Sequence, residues 1–296
     1  MFRKLLGTCI SLAFALSLAV AGEIPQSLAK LSAADIVNKN VAARGGLQAW
    51  RAVQTMSMEG KMGAGGNQRA ALPVPVPGRN ANQASLPQRP AQEAQLPFVL
   101  ELKRPRKMRM ELTFNGQTAI QVFDGANGWK LRPFLNRRVV EPYTTDEMKS
   151  ESMQADLDGP LVDYAAKGTK IELDGVEKVE DRDTYKLKLT MNGGQSIHVW
   201  IDAQTFLEAK IEGQPRRLDG IYHPVEVYYR DYRPVSGLQI PHVLETKVLK
   251  VAQKSASLKD PAVPPEKITI DKVVVNPNLE ESRFSKPGDG VAPKAN

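Results

Sequence analysis

Two stretches of this sequence alternate apolar and polar residues and then reverse at a tight turn, and that device limits what the rest can become. Met108, Met110, Leu112 and Phe114 alternate with Lys107, Arg109, Glu111 and Thr113, the period of a strand in a sheet wet on one face. Asn115-Gly116 follows, a pair suited to a two-residue hairpin turn because both positions accept positive φ. Thr118 to Phe123 then returns. The device recurs where Tyr185, Leu187, Leu189 and Met191 lead into Asn192-Gly193-Gly194, and Ile197, Val199 and Ile201 come back. Similar patterns at 55–62, 129–133, 137–141, 169–178, 206–212, 222–230, 238–249 and 267–275 bring the expectation to about 10–11 strands. The connections are too short for helical crossovers, so the sheet is antiparallel.

Helix signals occupy two places. Ser32 and Asp35 have capping-box spacing, Leu31 and Ile36 have hydrophobic-staple spacing, and Gly45-Gly46 supplies a stop. Leu47 to Val53, with Trp50, reads as a further short helix. In the middle of the chain, Thr144 and Glu147 repeat the capping-box spacing, and Leu161 to Ala166 is expected as a helix closed by Gly168. The fold class is therefore mainly β with α: a single curved antiparallel sheet with helices covering its apolar face, since a long sheet must curl or be covered.

Residues 63–97 break the alternation with six prolines and five glutamines. Such a segment buries too little to offset its ordering entropy and is expected as a disordered insertion. Residues 22–62 are too few for a domain of their own, so the expectation is one domain, 22–296, interrupted by this insertion.

The first residues set the compartment. Arg3 and Lys4, an apolar run from Leu5 to Val20 and Ala19-Val20-Ala21 read as a secretory signal peptide over 1–21. About 16 apolar residues are short for a membrane span of ~30 Å, and no later run is long enough to cross. Cys9, the one cysteine of the chain, would leave with the leader. The balance would fall from 40 Lys and Arg against 33 Asp and Glu to 38 against 33, a mildly basic +5. A mature chain of about 275 residues can bury a core without disulfides. The basic runs at Lys103 to Arg109, Arg137-Arg138 and Arg216-Arg217 lack interleaved stacking aromatics, so no nucleic-acid partner is expected.

No catalytic constellation stands out, and the chain is read as a non-enzyme. His198, His223 and His242 are the only histidines and have no ligand spacing, so neither a metal nor another cofactor is expected. There is no nucleophile elbow and no glycine-rich phosphate loop.

Four phrases in order carry more information: LELKRP at Leu100 to Pro105, VFDGANGWKLRPF at Val122 to Phe134, WIDAQTFL at Trp200 to Leu207, and FSKPGDGV at Phe284 to Val291. The series resembles the periplasmic outer-membrane lipoprotein-sorting family, the LolA/LolB-like carriers. The resemblance implies an incomplete β-barrel whose concave face is closed by helices around an apolar cavity for acyl chains. It implies periplasmic carriage of lipoprotein or acyl-lipid cargo toward the outer membrane, from an inner-membrane releasing complex to an outer-membrane acceptor. The expected cavity residues are Met108, Met110, Leu112, Val122, Trp129, Met148, Leu187, Leu189 and Val199. Methionine suits such a wall because it repacks around varied guests, although any one of these methionines taken alone reads sooner as core filling. Arg104 matches the family's arginine before proline, which resembles a latch that bonds lid backbone and holds the empty cavity closed. From its neighbours alone it is an arginine closing a strand. The insertion and the region 219–250 depart from the short carriers. The alternative use of the fold is an envelope sensor or adaptor that makes protein contacts.

Overall fold

The alternation becomes one sheet. A computed structural model describes residues 31–64, 94–133, 137–218, 221–251 and 265–288. The expected leader, and residues 65–93 of the expected insertion, lie outside the described residues. Both ends of that insertion belong to strands, because β1 is Thr55–Ala64 and β2 is Ala94–Lys103. After them come β3 (Lys107–Phe114), β4 (Gln117–Phe123), β5 (Gly128–Arg132) and β6 (Arg137–Pro142). A second run follows: β7 (Lys170–Val179), β8 (Arg182–Thr190), β9 (Ser196–Asp202), β10 (Glu208–Leu218), β11 (Ile221–Val235), β12 (Leu238–Val248) and β13 (Glu266–Val275).

All 13 strands form one antiparallel sheet in the order β6-β5-β4-β3-β2-β1-β13-β12-β11-β10-β9-β8-β7, somewhat more than the count expected from the sequence. Each half is a meander, and the halves join where β1 pairs with β13, Met56 opposite Val275 and Met62 opposite Ile268. Asn115 and Gly116 turn β3 into β4 at φ 49° and 71°. The outermost strands, β6 and β7, are consecutive in the chain, and the segment between them returns from one edge of the sheet to the other.

The sheet is strongly curved. Phe123 on β4 and Leu187 on β8 share one hydrophobic core, although β4 is third and β8 twelfth in the order. Laid flat at about 4.8 Å per strand they would stand roughly 43 Å apart. Bulges at Glu59/Gly60 in β1, Leu173/Gly175 in β7 and Glu208/Lys210 in β10 mark places where the ladder bends.

Three helices lie on the concave side. Helix α1 (Ala33–Ala43) starts with the Ser32–Asp35 capping box and buries Ile36, Val37, Asn40 and Val41; α2 (Leu47–Ala52) buries Trp50. Helix α3 (Thr145–Gln154) begins with the Thr144–Glu147 box. Residues 161–166 are consecutive turns instead of the expected helix. Asp163 sits there at φ 51°, a left-handed conformation that interrupts a right-handed helix, and its carboxylate receives Arg51 at 2.6 and 2.9 Å. On the convex side the C-terminal segment packs against β1–β3: Lys103 donates to Leu279 O at 2.7 Å, and Arg283 meets Glu101 at 2.5 Å.

The joint between α1 and α2 is pressed onto the β11–β12 hairpin. Gln239 N donates to Arg44 O at 3.0 Å. Gly45 has φ 115°, and a Cβ there would lie 2.3 Å from Gly237 O. Gly45→Ala therefore combines an unfavourable φ with a backbone collision, and is expected to lower unfolding free energy by about 2–4 kcal/mol. Urea denaturation of the variant checks this.

Candidate functional site

The registers set the concave side chains in ranks that cross the sheet. The innermost rank runs Phe123, Met108, Leu102, Met56 and Val275, and its first four members are buried. The next runs Lys130, Gln121, Met110, Leu100, Met58 and Val273, and apart from Lys130 each is only half-buried. Farther out, Leu96, Met62, Ile268, Leu244 and Tyr229 form another half-buried rank. The wall thus passes from sealed core beneath the helices to an apolar surface that solvent partly reaches. Five of the nine methionines, Met56, Met58, Met62, Met108 and Met110, stand on it, and Met148 packs against the same core from α3.

The residues expected to line a cavity divide into three groups. Met108, Met110 and Leu112 are on the concave face, with Met148 opposite. Leu187, Leu189 and Val199 are also on that face, but at 0, 0 and 1 % exposure they belong to the dry core with α1. Val122 and Trp129 are not on this face at all. Val122 precedes the inward Phe123 and pairs with Trp129, and both pack with Ile120, Leu131 and Val140 in a separate convex cluster. Strand alternation requires this correction, because neighbours on one strand point to opposite faces. Met56, Met58 and Met62 were missed, although their spacing in Thr55 to Met62 carries the same signal.

Arg104 stands at the centre of the helix contacts. Its Nε donates to Val53 O at 2.7 Å, and Nη2 donates to Trp50 O at 3.1 Å and to Asp158 Oδ2 at 2.6 Å. Val53 caps the C-terminus of α2, where carbonyls lack helical partners. One planar guanidinium therefore joins the β2–β3 turn, the end of α2 and the segment that crosses from β6 to β7. Asp158 is 2 % exposed and also accepts from Lys167 at 2.7 Å. Burial alone would raise its carboxyl, but hydrogen bonds with Asp156, Lys167 and Arg104 hold it down, to about 2.

Other cations fasten the same crossing. Arg44 Nη1 donates to Asp158 O at 3.1 Å and lies 3.2 Å from Glu208, with its guanidinium 4.3 Å above the Trp50 ring. Arg106 donates to Ser152 O at 2.5 Å, and Lys130 pairs with both carboxylate oxygens of Glu147. From the far half of the sheet, Gln214 on β10 reaches Met153 Sδ at 3.6 Å. The crossing segment is held to the sheet by polar ties at its margins and by apolar contact beneath.

The histidines occupy separate places: His198 bonds Glu212, His223 bonds Leu249 O, and His242 bonds Ile240 O. Among the described residues no group of His, Cys, Asp or Glu converges to hold a metal, and no helix is long and apolar enough to cross a membrane.

No family model and no curated protein matches the chain. Among solved structures it is similar to a putative outer membrane lipoprotein-sorting protein domain from Vibrio parahaemolyticus, at 12% identity over 85% of this chain and 95% of that one, TM-score 0.49. A LolA superfamily protein from Nitrosomonas europaea matches at 14% identity over 86% and 98%, TM-score 0.49. A DUF1329 family protein from Desulfovibrio piger matches at 13% identity over 86% and 97%, TM-score 0.50. At such identity the likeness is one of fold.

Within the crossing segment, Glu151 of α3 is pushed up to about 7, first by burial and then by the charge of Glu147. Its folded form favours the proton, so stability falls as pH rises from the ordinary glutamate range through about 7. Glu151→Gln should stabilise the protein at pH 8, on the order of 2 kcal/mol, and change little at pH 5. Thermal melts at both values check it; an equal gain at both would contradict it.

Proposed function

We propose that the protein is a periplasmic carrier that holds acyl chains of lipoproteins or lipids between the concave face and the crossing segment as its lid, for transport toward the outer membrane. The observation that carries this reading is the Arg104 tie, which closes a lid over a half-buried, methionine-rich apolar wall. The order of the four sequence phrases supports it.

The energetics suit a carrier. An acyl chain of about 15 methylenes loses roughly 12 kcal/mol on leaving an apolar environment for water, at ~0.8 kcal/mol per CH₂. A binding face that matches the membrane interior removes that barrier. Met58, Met62 and Met110 are adaptable enough to repack around a guest. The lid covers the inner part of this wall, with Met148 packed on the core that Met58 and Leu100 adjoin, and leaves the outer ranks half-exposed. Arg104 sets the balance between closed and open states, because its bonds exist only when α2 and Asp158 are in place. Cargo then selects the open state by burying chain against the wall.

Native mass spectrometry of the protein purified from its own envelope, followed by lipid extraction, tests the reading. Co-purifying acyl lipid or lipoprotein displaced by added fatty acid is the expected result. An empty mass, in a protein that also refuses a fluorescent fatty acid, would overturn it and favour the sensor or adaptor use.

Arg104→Leu tests the latch separately. Charge-assisted bonds contribute about 1.5–3 kcal/mol each, so the variant should open more often and take up a fluorescent acyl probe at least about ten-fold faster. Uptake and release identical to wild type would remove Arg104 from that role.

A further inference from the structure

The half-buried methionine rank reaches a cation on β5, Lys130, whose partner on the edge strand β6 is Glu141. Lys130 pairs with Gln121 on β4, which pairs with Met110, so Lys130, Gln121, Met110, Leu100 and Met58 lie side by side across five neighbouring strands. Trp129 and Leu131 point to the convex cluster, which leaves Lys130 on the concave side, where it is 6 % exposed. A buried ammonium needs a partner, and here the partner is Glu147 of the lid helix, through both carboxylate oxygens.

Two donors flank that pair. The Tyr143 ring lies across Gly128, where a Cβ would come within 1.8 Å of it. Its hydroxyl is buried and has no hydrogen-bond partner among the described residues, in a residue only 9 % exposed. On the other side Arg132 gives Nη2 to Glu141 at 3.0 Å, while its Nε is buried without a partner. Three buried side-chain polar atoms lack partners among the described residues, and two of them stand on either side of Lys130. Gly128, Lys130 and Arg132 are alternate residues of one strand, about 6.8 Å apart, so the three positions stand in a row along the edge of the wall.

We infer that Lys130, with Tyr143 and Arg132, forms a head-group site for an acyl ligand that ends in an anionic oxygen group, a carboxylate or a phosphate. The inference rests on the acyl-carrier reading and names its ligand class. An ammonium, a guanidinium Nε and a phenol hydroxyl can all donate, which matches an acceptor-only oxyanion. Glu147 is itself a carboxylate and already makes the contact that the ligand would make. It also accepts from Thr144 N in the capping box at 2.8 Å, so it moves as part of α3. When the lid lifts, Lys130 loses its counter-charge. An anionic ligand replaces it, and a neutral one does not. The chain of such a ligand would run from Lys130 along Gln121, Met110, Leu100 and Met58.

Equilibrium titration of the purified protein with laurate, dodecyl phosphate and methyl laurate tests this. At least one anion should bind about ten-fold or more tightly than the ester, and the tighter of the two identifies the head-group chemistry. Lys130→Gln should bring the anion-to-ester affinity ratio to about one, because loss of its tie to Glu147 acts on all three ligands alike. Glu147→Gln removes the internal competitor while keeping an amide at the cap, and should raise the anion-to-ester ratio about ten-fold. Equal affinity of wild type for anions and ester would overturn the head-group site and leave the acyl carrier standing. So would an unchanged ratio in either variant. Failure of all three ligands to bind would overturn both.

Discussion

The pairing of β1 with β13 is the constraint on which the rest depends. It joins the first strand to the last and so places two meanders edge to edge in one sheet. The sheet's free edges must then be β6 and β7, which are consecutive in sequence. The chain between them has to return across the open side, and that return is the lid. Nothing in this requires a closed barrel. The curvature brings the inner faces of β4 and β8 into one core, and the helices fill the gap that closure would otherwise remove.

What fastens the lid differs from what fills the core. Beneath α1 the contacts are mostly apolar, with Ile36 and Leu187 at 0 % exposure, and the buried Asn40 donates to Phe206 O. Along the crossing, Ala155, Leu157, Leu161 and Val162 enter the same core, and polar ties from Arg44, Arg51, Arg104, Arg106 and Lys130 to carboxylates and carbonyls are added at the margins. Apolar burial accumulates over area and is lost gradually. A charge-assisted bond depends on a fixed geometry and ends over a short displacement. Asp158 concentrates this behaviour, since a buried carboxylate that loses Arg104 or Lys167 keeps its desolvation cost without full compensation.

The period of the strands made much of this legible before any coordinates. The turns at Asn115-Gly116 and Asn192 to Gly194, and the capping boxes at Ser32 and Thr144, are local codes, and the structure places strands or helices beside each of them. The β1–β13 join carries no local code, being a contact between residues more than 200 apart. The face of Val122 and Trp129 was also hidden. Both sides of β4 are apolar there, with Ile120 and Val122 on one and Ala119 and Phe123 on the other, and a strand buried on two faces loses its period. Lys130 reads as a solvated strand residue until the lid covers it. Arg104 was singled out by resemblance, while its three acceptors lie on segments that spacing could not bring together. Asp163 broke an expected helix because its left-handed turn delivers a carboxylate to Arg51, a long-range partner.

The central claim is that the concave face and the lid enclose an acyl chain. The most direct measurement is photo-crosslinking with a fatty acid that carries a diazirine along its chain, followed by peptide mapping. The account predicts adducts on β1, β2 and β3 at Met58, Leu100 and Met110, and on α3 at Met148, suppressed by excess unlabelled fatty acid. Adducts confined to the convex cluster around Val122 and Trp129, or adducts that excess ligand fails to suppress, would contradict it.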